Sequence, residues 1–104
     1  MTGKTEPATM ADKYILDGKT AVPADLSMWA EWFEGADRNV AKTKTPNGDV
    51  STVFLGVNYQ FGNGPPLIFE TMIFGGTHDQ EMWRCSTWEQ AEDQHANAIG
   101  FCSS

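Results

Sequence analysis

Apolar and polar positions alternate in distinct rhythms along the chain, and each rhythm predicts an element. Residues 1–12, MTGKTEPATMAD, have no rhythm and read as a flexible polar arm ahead of a single domain at 13–104. Lys13, Tyr14, Ile15 and Leu16 form a short apolar run, a first strand, and Asp17-Gly18-Lys19 turns the chain. Pro23 and Asp25 open a helix, because the Asp25 carboxylate can accept from the free N–H groups of its first turn. Leu26, Trp29, Ala30 and Phe33 recur at the spacing of one buried helical face, with Trp32 beside that stripe. Gly35 weakens the helix near its end.

A second half reads as sheet and helix. Residues 40–45 tolerate a strand, and Pro46-Asn47-Gly48-Asp49 is a strong turn signal. Alternation over 50–59 places Val53, Leu55, Val57 and Tyr59 on one face and Thr52, Phe54 and Gly56 on the other. After the break at 61–66, Leu67, Phe69, Thr71 and Ile73 oppose Ile68, Glu70, Met72 and Phe74. Apolar residues on both faces mark a central strand. Gly75-Gly76 ends it, and Met82-Trp83-Arg84 reads as a short further strand. Ser86 with Glu89, or Thr87 with Gln90, makes a capping box for a helix running to about Phe101. Trp88, Ala91, His95, Ala98, Ile99 and Cys102 share its inner stripe. The fold class is α+β. An antiparallel meander of three or four strands carries two helices on one face, in the order β-α-β-β-β-(β)-α.

Charge narrows the partners. The 104 residues carry a net charge of −7, which argues against direct binding to a nucleic-acid backbone or an anionic membrane. The plainer reading of the acidity is solubility. There is no apolar h-region at the N-terminus and no apolar run long enough to span a bilayer, so a cytoplasmic protein is expected. Cys85 and Cys102 are expected as reduced thiols, with a bridge between them as the lesser alternative.

Three stretches carry a family resemblance: residues 49–56, residues 64–76 and Ser86-Thr87-Trp88-Glu89-Gln90-Ala91 with His95. Together with the Trp- and Phe-bearing helix they look like a family of small proteins encoded by tailed bacteriophages and prophages. The resemblance covers roughly residues 13–101. It implies a bacterial host cytoplasm and an accessory or host-modulating role. It implies no catalytic residues.

Candidate chemistry is sparse. His78, Asp79 and Glu81 could hold a divalent metal, but no second His or Cys stands at ligand spacing, and an exposed polar loop is the plainer reading. Glu70, in an apolar strand, would work as an acid or base if desolvated; the alternative is a cross-strand pair with Lys42, Lys44 or Arg84. His95 on an inner stripe reads as hydrogen-bonded packing. Cys85 sits beside Arg84 and before a helix N-terminus, where its pKa could fall somewhat, but it reads as a small apolar residue. The loop Gly62-Asn63-Gly64 is followed by two prolines rather than by a helix, so it is no phosphate cradle.

Aromatics make up 12% of the chain, more than one small core covers, so some should mark a binding face. Trp32, off the main stripe, is the first of these, with Tyr59, Trp83 and Trp88 beside it as binding candidates alongside Glu70, His78, Asp79 and Arg84. The leading functional expectation is a non-enzymatic protein-binding role: an inhibitor or modulator of a host or defence protein, with a homodimer as a further assembly. The alternatives are a dimeric binder of a nucleotide signal and a metal-dependent hydrolase using Glu70, His78 and Asp79. No cofactor is expected.

Overall fold

The computed structural model describes residues 12–103. The expected N-terminal arm lies outside these residues except for Asp12, whose carbonyl accepts from Asn58 N at 2.9 Å.

The element order is β1 (Tyr14–Asp17), β2 (Thr20–Pro23), α1 (Leu26–Gly35), β3 (Asn39–Thr45), β4 (Gly48–Phe54), β5 (Phe69–Phe74), β6 (Met82–Cys85) and α2 (Trp88–Cys102). β3 to β6 form a four-stranded antiparallel meander in sequence order, and β1 and β2 make a separate two-stranded hairpin. The class is α+β, as the patterning predicts. β2 is the element that the patterning lacks.

Period-two alternation divides the sheet into two faces. Val50, Thr52 and Phe54 of β4 and Phe69, Thr71 and Ile73 of β5 are fully buried on one of them. α2 covers that face with Ala91, His95, Ala98 and Cys102. α1 joins the same side, where the Trp32 ring meets Phe54 edge-on at 5.7 Å. The opposite face carries Glu70, Met72 and Phe74 of β5, with Phe74 exposed.

Local chemistry sets the ends of the helices. Asp25 Oδ1 accepts from Met28 N at 2.8 Å, capping α1. Thr87, not Ser86, is the N-cap of α2: its side chain accepts from Gln90 N and the Gln90 side chain accepts from Thr87 N.

Two expectations are corrected. β4 stops at Phe54 instead of running to residue 59. Gly56 there adopts φ +76°, and its carbonyl turns to accept from Tyr14 N and Trp29 Nε1, both at 2.9 Å. A Cβ at Gly56 would lie 2.5 Å from the Phe33 ring, so only glycine makes this corner. The buried stripe of α1 is also rotated. Leu26 is 65% exposed, while Trp29, Trp32 and Phe33 are half-buried. The Gly56 contact draws Trp29 and Phe33 inwards, and Phe54 takes Trp32.

Candidate functional site

β6 is an edge strand, because the meander ends there. Its inner side is occupied. Phe69 pairs with Cys85, Thr71 with Trp83, and Ile73 N donates to Glu81 O at 3.0 Å. Backbone direction alternates along an antiparallel strand, so Met82 and Arg84 present their N–H and C=O groups outwards.

α2 overhangs this edge. One face of the helix is buried on the sheet, and a second face, Gln90, Asp93, Gln94, Asn97 and Phe101, looks out beside β6. These residues recur at i, i+3, i+4, i+7 and i+11, one stripe of the helix. Together with residues 83–86, Ala98, Pro65 and Leu67 they enclose a groove of about 690 Å³. Trp83 and Phe101 meet edge-on at 5.4 Å at one end. Gln94 bridges the walls: its Nε2 donates to Arg84 O at 3.3 Å. Gln94 Oε1 is buried and has no hydrogen-bond donor among the described residues.

The ionisable side chains in the lining are Arg84, Cys85 and Asp93. Arg84 lends the groove its backbone only. Its Nε donates to Glu70 at 3.0 Å on the far face of the sheet, and its guanidinium stacks 4.3 Å from the Tyr59 ring. Cys85 is pushed up to about 11 by burial. Arg84 points away from the thiol towards Glu70 and gives it no compensating charge. Asp93, on an exposed turn of α2, is therefore the charge that faces the groove.

The candidates named from the sequence scatter across the fold. Trp83 and Arg84 line the groove, and the His78 ring meets Phe101 at its end in a tilted contact, with centroids 4.3 Å apart. Asp79 instead accepts from Gly75 N at 2.5 Å, closing the loop after β5. Among the described residues no three His, Cys, Asp or Glu side chains cluster as metal ligands. Glu70 and Tyr59 meet at Arg84 on the open sheet face. Of the two readings of Glu70, the cross-strand pair is the one the geometry contains.

Trp32 is half-buried, its ring packed against the core cluster. Trp88 lies edge-on to Phe69 at 6.2 Å, with Lys19 Nζ 5.6 Å from its ring, away from the groove. His95 is buried as packing: Nε2 meets Thr43 Oγ1 at 2.9 Å and Nδ1 meets Thr52 Oγ1 at 2.8 Å. The sequence reading missed Gln90, Asp93, Gln94 and Asn97, whose polar character is also that of a solvated helix face.

Comparisons of the chain with protein-family models, characterised proteins and solved structures found no match. Among the described residues no helix is long and apolar enough to cross a membrane.

Proposed function

We propose that the chain is a binding protein that acts by protein–protein contact through the groove between β6 and α2. The observation that carries this reading is the conjunction of a strand edge that no described strand pairs with and an adjoining apolar trough. Trp83, Leu67 and Phe101 offer apolar contact there, and Gln90, Gln94 and Asn97 offer amides. Aromatic anchors in an apolar surface groove are what protein interfaces use. The resemblance to small phage-encoded proteins supports a setting in a bacterial cytoplasm and a host or defence factor as the target.

The nucleotide and metal-hydrolase readings find less support. A phosphate needs cations, but the Arg84 guanidinium is held by Glu70, and Lys42 and Lys44 stand on β3 at the opposite edge of the sheet. His78 and Asp79 are engaged separately, in a tilted ring contact and a loop closure.

The test is affinity capture from bacterial lysate with the full chain, followed by titration of the captured protein. Asn97→Lys, an exposed groove position, should weaken capture by about tenfold or more, whereas Lys42→Glu on the far strand should leave it unchanged. No saturable partner, or a partner lost with Lys42→Glu and kept with Asn97→Lys, refutes the proposal.

A further inference from the structure

We infer that the occupant of this groove is an extended peptide segment carrying basic side chains, added as a further strand on the outer edge of β6. The inference rests on the protein-binding reading above and specifies its ligand.

The backbone supplies the first ground. Met82 and Arg84 face outwards, so two residues of β6 offer ladder positions to another chain. One of these positions has a stand-in. Gln94 Nε2 sits on Arg84 O at 3.3 Å, a long contact, while Gln94 Oε1 is buried with no donor among the described residues. An arriving backbone N–H takes Arg84 O. The displaced amide then turns its Oε1 towards the donors of the new strand and satisfies an acceptor that has no donor among the described residues.

The groove has the dimensions of a strand. The wall from Gln90 to Phe101 rises about 16 Å along α2, which matches about five extended residues. Alternate side chains of such a segment point down to Trp83 and Phe101 or out along the helix. The other sheet edge, β3, carries the exposed Lys42 and Lys44, whose repeated charge discourages strand addition there.

Charge selects the sequence of the occupant. Asp93 is the side-chain charge directed at the groove, and Glu89 stands one turn before it on the same helix. The compensating cation, Arg84, is spent on Glu70 at the far face. With a net charge of −7 on the whole chain, a basic segment is both steered in and held.

The experiment is selection of random nonapeptides on the immobilised full chain, followed by polarisation titration of the resynthesised winners. Enriched peptides should carry Lys or Arg at alternate positions around an apolar residue. Asp93→Lys, whose folding is checked by its urea midpoint, should weaken them by about tenfold. N-methylation of every second peptide amide should abolish binding in one register and spare it in the other. Acidic or charge-indifferent winners, an N-methyl scan without alternation, or no enrichment at all would overturn the inference. If groove-dependent capture of a folded protein survives any of those results, strand addition fails while the groove remains the contact surface. Loss of both overturns the groove itself.

Discussion

Replacing Thr52 by Val isolates the polar chain that runs through the apolar core. Thr71 Oγ1, Thr52 Oγ1 and His95 are linked in sequence at 2.6 and 2.8 Å, and Thr43 closes the far end on His95 Nε2 at 2.9 Å. Thr52 and Thr71 are fully buried and His95 is 6% exposed, so water cannot replace a lost partner. Val fills the volume of Thr, so the substitution opens no cavity. It strands His95 Nδ1 and Thr71 Oγ1 together. At about 1–3 kcal/mol for each stranded group, the expected loss is about 2–6 kcal/mol. That is a large share of the roughly 5–15 kcal/mol that holds a small domain folded.

Urea unfolding followed by tryptophan fluorescence at pH 7.5 measures the loss. The double variant Thr52→Val/Thr71→Val removes both ends of one hydrogen bond and should cost less than the two single changes summed. A Thr52→Val loss below about 0.5 kcal/mol, or strict additivity in the double variant, refutes the assignment of this chain as a satisfied buried network.

Other expectations are open to simple measurements. Burial lowers the His95 pKa in the folded protein, so folding favours the neutral ring. Its stabilisation is complete above the unfolded value near 6.5 and is lost as pH falls through the folded pKa. Urea midpoints at pH 7.5 and pH 5 should show this decline, and it should vanish in His95→Gln. Gly76 has φ +73°, and a Cβ there would collide with Asn47 O in the β3–β4 turn, so Gly76→Ala should lower the midpoint by at least about 2 kcal/mol equivalent. The Cys85 thiol, raised to about 11, should alkylate with iodoacetamide slowly at pH 8, its rate rising up to pH 10 and beyond. A plateau near pH 9 would refute that.

The parts of the fold written in short-range chemistry were legible in the sequence. The Thr87/Gln90 capping box, the Asp25 cap and the alternation around Phe69, Thr71 and Ile73 each depend on residues a few positions apart. The misreadings came from contacts distant in sequence. Alternation continues past Phe54 in the sequence, but Gly56 bends the chain because Tyr14 and Trp29 both donate to its carbonyl. Trp32 looked like surplus because nothing local shows that Phe54 receives its ring. β2 was missed because TAVP is short and ends in proline, and its strand character comes from pairing with Tyr14–Asp17. The groove was half legible. Trp83 and Arg84 stood out by residue type, but Gln90, Gln94 and Asn97 acquire meaning only once the β6 edge lies beside them.

The most direct test of the groove is amide hydrogen exchange on the full chain, free and saturated with a captured partner or selected peptide. The account predicts that Met82 and Arg84, whose N–H groups face outwards, exchange rapidly in the free protein and slow by about tenfold or more on binding. Trp83, paired to Thr71, should change little. Unchanged exchange at Met82 and Arg84, with protection appearing instead on the open face around Met72 and Phe74, would contradict it.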